Sequence, residues 1–134
     1  MIVSTRGRYA LRVLIDLAEN SEQERTPLKE IAERQGISQK YIEAIMTLLS
    51  KNGIVDAAHG KGGGYRLNKA PEEYKVGDIL RITEGTLAPV ACLEKNAAPC
   101  ERRDKCRTVS MWTKLDELVE NYLDSVSLKD LMKK

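Results

Sequence analysis

The chain has 134 residues, 42% of them hydrophobic and 31% charged, which suits one folded domain around a single core and excludes a disordered polymer. No apolar run approaches the roughly 20 residues needed to cross a bilayer, and the start, Met1-Ile2-Val3-Ser4-Thr5-Arg6, has no apolar stretch leading to a cleavage site, so a cytoplasmic protein without a membrane partner is expected. The net charge of +2 says little by itself about a nucleic-acid partner.

From Thr5 to Glu19 the apolar residues Tyr9, Ala10, Val13, Leu14, Leu17 and Ala18 recur at steps of three and four, predicting an amphipathic helix with Arg6, Arg8 and Arg12 off its buried stripe. The polar run Asn20 to Arg25 reads as a loop. Thr26-Pro27 reads as a helix start, a capping hydroxyl followed by proline at the first helical position. Leu28, Ile31 and Ala32 line that helix, and Gly36 ends it. Ser38 then caps a further helix carrying Tyr41, Ile42, Ile45, Leu48 and Leu49, which closes near Asn52-Gly53. Two short helices joined by Gly36-Ile37-Ser38 form a helix-turn-helix pattern, with Ile37 as the apolar plug between them.

Ile54-Val55 reads as a short strand, Asp56 to Gly64 as a glycine-rich tip and Tyr65-Arg66-Leu67 as the returning strand. A hairpin directly after the second helix is a wing. A phosphate-binding nucleotide loop fits poorly, because Val55 stands where that motif needs its first glycine and Gly62 where it needs Ser or Thr. Pro71 to Lys75 reads as a linker, and Val76, Ile79, Leu80 and Ile82 mark a helix closing at Gly85. Ala91 to Lys105 reads as an irregular loop. From about Arg107 to Ser125 a long helix carries Trp112, Leu115, Val119 and Tyr122, and with Val126 these form a seam stepping by three and four. That seam suits either a partner helix or the chain's own core. Ser127 to Asp130 reads as a capping box.

The expected fold class is therefore mainly α with a small β wing: a winged helix-turn-helix domain plus a long C-terminal dimerisation helix. Residues 1–134 are taken as one unit, with residues 1–75 as the DNA-binding region and 76–106 as a connecting helix and cysteine loop. Residues 107–134 form the dimerisation helix and tail. With the helix from Ser38 in a major groove, Gln39, Lys40, Tyr41, Glu43 and Thr47 are the candidates for base edges. Lys51, His59, Lys61 and Arg66 are candidates for phosphates or the minor groove. A helix-turn-helix also serves protein–protein modules, but the glycine-rich basic wing favours double-stranded DNA, read by a homodimer as a pseudo-palindromic operator. The charge agrees weakly: residues 1–69 hold eleven Lys and Arg against eight Asp and Glu, residues 70–134 eleven against twelve.

Three cysteines, Cys92, Cys100 and Cys106, lie together after a long cysteine-free stretch. An odd number does not suggest a disulfide framework. Their spacing is wide for structural zinc, and the single histidine, His59, lies on the wing. Three thiolates among Arg102, Arg103, Lys105 and Arg107 suit an iron–sulfur cluster better, with free or redox-sensing thiols as the alternative. No nucleophile–histidine pair or paired-carboxylate pocket suggests an enzyme.

The chain resembles the bacterial regulators of the Rrf2 family, the IscR, NsrR and CymR group. The resemblance lies in Ile2 to Leu11, Leu28-Lys29-Glu30-Ile31-Ala32, Ile37 to Glu43, Gly60-Lys61-Gly62-Gly63-Gly64-Tyr65, Val76-Gly77-Asp78-Ile79 and the cysteine triplet. It implies a winged-helix homodimer whose long helix crosses its twin. Tyr41 and Glu43 fall where the family contacts or discriminates bases, and the wing tip enters the minor groove. IscR-like members hold a 2Fe–2S cluster on three cysteines and one further ligand, and the cluster state selects the operators. Here Val109 takes the place of the IscR histidine, Arg8 that of the NsrR acidic ligand and His59 that of a wing arginine. Glu94, Glu101 and Asp104 are the remaining candidates for the fourth ligand. The stretch Glu84 to Val90 is closer to CymR, a member without cluster cysteines that responds through a protein partner, so a metal-free repressor controlled by a partner protein or by thiol oxidation is the alternative.

Overall fold

The structure is a computed structural model that describes residues 2–133. Helix α1 (Thr5–Glu19) starts where the Ser4 hydroxyl accepts the Gly7 N–H at 3.1 Å, a cap that satisfies one of the orphan donors of the first turn. Its buried stripe of Ala10, Val13, Leu14, Leu17 and Ala18 is the predicted one except for Tyr9, which is half-buried at its edge. Helix α2 (Leu28–Gln35) ends at Gly36 in the left-handed region, with φ of 65°. Helix α3 (Gln39–Lys51) starts at Ser38, whose hydroxyl accepts the Tyr41 N–H at 3.2 Å. Ile37 is buried in the turn between them, the apolar plug between the Gly36 and Ser38 caps.

Strands β1 (Val55–Ala58) and β2 (Gly64–Leu67) pair antiparallel, Val55 with Leu67 through Ala58 with Gly64. The outgoing strand is longer than predicted, and its first predicted residue, Ile54, lies before it in the core. Ala57 and Ala58 favour strand weakly, yet pairing with Tyr65 and Gly64 holds them there. Thr26 also departs from expectation. Pro27 takes the cap position of α2, while Thr26 is buried and exchanges two backbone hydrogen bonds with Tyr65, each 2.9 Å. The α1–α2 connection thus acts as a third rung of the wing.

The expected linker is ordered as well. A 3-10 turn, Pro71–Glu73, leads to Tyr74, which is buried and donates its hydroxyl to the Ile54 carbonyl at 2.9 Å. Helix α4 (Val76–Glu84) follows, then residues 85–108 with two short 3-10 turns, then α5 (Val109–Asp124) and α6 (Leu128–Leu131). Ser127 and Asp130 make the predicted capping box, the Ser127 N–H donating to Oδ2 of Asp130 at 2.9 Å. α6 drops Leu128 into the main core with Leu14, Ile31, Ile42, Ile45 and Leu49.

A second, smaller core of Val76, Leu80 and Leu87 joins α4 to Leu123 and Val126. Arg81 forks onto Asp124 with two hydrogen bonds of 2.9 Å, and Gly77 leaves room that any Cβ would take from the Asp124 carboxylate. No residue of α5 is fully buried. The predicted seam divides: Trp112, Val119 and Val126 are half-buried against the chain itself. Leu115 and Tyr122 instead join Met111 and Leu118 in an exposed row, 38%, 67%, 52% and 55% accessible respectively. Among the described residues no helix is long and apolar enough to cross a membrane.

Candidate nucleic-acid interface and cysteine loop

α3 turns Ile42, Ile45, Met46 and Leu49 into the core, so a helix of 3.6 residues per turn presents Gln39, Lys40, Tyr41, Glu43, Ala44, Thr47 and Lys51 outward. Lys40, Ala44, Thr47 and Lys51 follow at steps of four, three and four, forming the outer ridge. Tyr41 and Glu43 flank that ridge on opposite sides. Tyr41 leans on α1, its ring edge-on to Tyr9 at 5.5 Å between centroids. Arg12 lies 5.1 Å over the Tyr9 ring and its Nε donates to Oε1 of Gln35 at 3.2 Å, tying α1 to the end of α2.

Glu43 faces the wing. It lines a groove of about 360 Å³ together with Pro27, Ala57, His59, Gly63 and Tyr65. Burial pushes the Tyr65 hydroxyl pKa above its ordinary value, and the nearby Glu43 carboxylate adds to the rise. One groove therefore joins α3 to the wing.

Two glycines of the tip are dictated by space. A Cβ on Gly63 would lie 2.5 Å from the Ala58 carbonyl, in a turn closed by the Gly63 N–H donating to Gly60 at 2.9 Å. Gly64 has φ of 138° and would drive a Cβ into the Thr26 carbonyl. His59 and Lys61 stand exposed on this tip. Arg66 points to the opposite side of β2 from Tyr65, as strand alternation demands. It sits 3.6 Å from the Asp56 carboxylate, its register partner, so part of its charge is already balanced.

Sequence reading missed Tyr9, Arg12 and Ala44. Tyr9 lies on the apolar stripe of α1, and nothing in periodicity shows that its ring reaches across to α3. For Ala44 a signal existed: on a helical wheel it falls on the same face as Lys40, Thr47 and Lys51.

The cysteine loop is built differently. Cys92 lies in the 3-10 turn Ala91–Leu93, Cys100 before a second turn, Arg103–Lys105, and Cys106 directly after it. All three are free and exposed. Cys106 has its Sγ 3.5 Å from the Thr108 hydroxyl. That contact and the Thr108 N–H, with the Arg102 charge, hold its thiol pKa below the ordinary value. Glu94, Glu101 and Asp104 are exposed on the same loop. Three soft thiol donors have the chemistry an iron–sulfur cluster takes. The loop as placed does not gather them, and among the described residues no group of three or more His, Cys, Asp or Glu is positioned to hold a metal ion.

A helix-turn-helix with a glycine-tipped hairpin beside its second helix defines the class: a winged helix-turn-helix protein. Residues 3–134 match the Rrf2 family, described as an iron-dependent transcriptional regulator. The HTH-type transcriptional regulator IscR of Klebsiella pneumoniae is 36% identical over 132 residues, which is 98% of this chain and 80% of that protein. Among solved structures, CymR, the global cysteine regulator of B. subtilis, superposes with a TM-score of 0.78 at 34% identity, covering 98% of this chain and 95% of that one. IscR of T. potens superposes with a TM-score of 0.73 at 36% identity, covering 98% and 85%. The chain belongs to the Rrf2 family and is a transcriptional regulator of the IscR and CymR type, not an enzyme.

Proposed function

We propose that the chain acts in the bacterial cytoplasm as a sequence-specific, double-stranded DNA-binding homodimer whose operator affinity is gated by an iron–sulfur cluster. The observation that carries the DNA reading is the groove that Glu43 of α3 shares with His59, Gly63 and Tyr65 of the wing. With the outer ridge of α3 in a major groove, Gln39, Lys40, Tyr41, Glu43 and Thr47 face base edges, and Lys51 lies near the backbone. His59 and Lys61 then reach the adjacent minor groove or its phosphates, and Arg66, already beside Asp56, contributes less.

Dimerisation is supported by α5, where Met111, Leu115, Leu118 and Tyr122 expose an apolar row at steps of four, three and four. Such a row favours a second helix over water. A two-fold axis there sets two recognition helices against a pseudo-palindromic operator.

For the gate, Cys92, Cys100 and Cys106 would hold the cluster, taken as 2Fe–2S by family resemblance, with one further ligand among Glu94, Glu101 and Asp104. Bound, it supplies a redox-active centre whose state or loss can be sensed. The loop lies between α4 and α5, so ordering it bears on the helix that carries the dimer row. A metal-free regulator, controlled by a partner protein or by thiol oxidation, is the second reading. It is favoured by the likeness to CymR and by thiols that are exposed and not gathered.

The two separate on anaerobic purification with iron, sulfide and visible absorption measured on wild type and Cys92→Ala. Cluster gating predicts about stoichiometric iron and sulfide, an absorption band lost in the variant, and operator affinity that follows it. Iron-free, colourless protein after anaerobic reconstitution, with affinity set by peroxide or a partner protein, contradicts it.

A further inference from the structure

We infer that the outer ridge of α3 reads thymine through its 5-methyl group, with Thr47 and Ala44 as the specificity-determining residues. This rests on α3 lying in a major groove as proposed above. Thr47 is one of the residues expected at base edges, and its hydroxyl donates to the Glu43 carbonyl one turn earlier, at 2.8 Å. A hydroxyl bonded back to its own helix has no proton left to offer a base, and the γ-methyl remains as the distinctive group of an exposed side chain. Ala44, exposed on the preceding turn of the same ridge, adds a second methyl group and no polar atom.

The flank is apolar too. Ala44 and Ile45 share a shallow notch with the Tyr41 ring and the start of α1, and Tyr9 holds that ring edge-on at 5.5 Å. Lys40 and Lys51, at the two ends of the ridge, are placed for phosphates or guanine, so the centre is a short apolar step between two cations. In the major groove only thymine among the four standard bases offers a methyl group, and Ala and Thr methyl groups are its usual contacts. Burying one methyl from water at each half-site corresponds to about a fourfold change in affinity.

The test uses the full chain and an operator selected from a pool of random duplexes. Thymidine is replaced by deoxyuridine one symmetric pair of positions at a time, which deletes the methyl and leaves the base pair intact. Thr47→Ser removes only the γ-methyl, whereas Thr47→Val keeps methyl groups and removes the hydroxyl. At one or more thymine positions wild type and Thr47→Val should bind the deoxyuridine duplex about fourfold more weakly per half-site, and Thr47→Ser should lose most of that penalty. Equal binding of every deoxyuridine duplex, or a penalty unchanged in Thr47→Ser, overturns the thymine assignment while DNA binding itself stands. Failure of any duplex to be enriched removes the underlying DNA-binding reading, and the assignment with it.

Discussion

The Asp16 carboxylate is buried in α1 and receives both arms of Arg34 from α2, Nε at 3.0 Å and the terminal nitrogen at 2.7 Å. The Gln35 amide adds a third hydrogen bond at 2.9 Å. This fork fixes the angle at which α2, and through the Gly36 turn α3, leaves α1. Asp16→Ala should cost about 2–3 kcal/mol in urea unfolding, because it strands a partly buried guanidinium and an amide. Glu30, the other and more exposed partner of Arg34 at 2.6 Å, should cost clearly less when changed to Ala, because a solvent-exposed ion pair contributes little. Equal losses for the two would show that burial of Asp16 is not what matters.

Gly64 couples the wing to the body. With φ of 138° and the Thr26 carbonyl in the place of a Cβ, Gly64→Ala should destabilise by about 2 kcal/mol or more. Gly62→Ala should cost about 1 kcal/mol, because its φ of 78° meets open space. Thermal unfolding of both variants checks the order, and protection of the Thr26 and Tyr65 amides in hydrogen exchange should fall only in the first.

These two joints also show which parts of the fold were legible in the sequence. The Gly36-Ile37-Ser38 turn and the glycines of the tip state their geometry locally, since left-handed backbone and helix caps demand particular residue types. Thr26 was misread because a Thr-Pro pair looks the same whether it caps a helix or pairs with a distant strand, as Thr26 does with Tyr65. Tyr74 was missed because a lone aromatic residue in a linker has no periodicity. The α5 seam drifted because both Met111 and Trp112, and both Leu118 and Val119, are apolar. Spacing cannot decide between adjacent apolar rows; the small core around Leu80 and Leu87 does. For Thr47 a sequence does not show that the hydroxyl is already spent on the Glu43 carbonyl.

Glu84 joins α4 to the start of α1, accepting from the Ser4 N–H at 2.5 Å and the Ser4 hydroxyl at 2.7 Å. Burial pushes its pKa up, but those two hydrogen bonds, with Thr83 and the Arg6 charge, outweigh it and hold the carboxyl below its ordinary 4.5. A depressed folded-state pKa gives stability that is present above the unfolded value and lost as pH falls through the folded one. Glu84→Gln should therefore be less stable than wild type at pH 7 by about 1 kcal/mol. The gap should close below the ordinary value of 4.5. Denaturant midpoints at pH 7, 5 and 3.5 test this, and a gap that widens in acid would refute the assignment.

The exposed row on α5 makes a prediction about assembly. Leu118 is 55% accessible and touches no core, so Leu118→Lys should leave the fold of the single chain intact by circular dichroism. If the row is the dimer face, the substitution should raise the dimer dissociation constant by two orders of magnitude or more, since it buries an unpaired charge at the centre of an apolar interface. Sedimentation of wild type and variant over a concentration series distinguishes this. A variant that remains fully dimeric places the interface elsewhere.

The central claim, that α3 and the wing read DNA as a two-fold pair, is tested most directly by selecting binding duplexes from a random pool with the full chain. The selection should enrich an inverted repeat with half-sites about one helical turn apart, some 34 Å. On that site Lys61→Ala should weaken binding across all sequences and lower the salt slope by about one, whereas Glu43→Ala should relax the preferred bases and leave the salt slope unchanged. A pool with no enriched repeat, or a site bound equally well by the wild type and by both variants, would contradict the account.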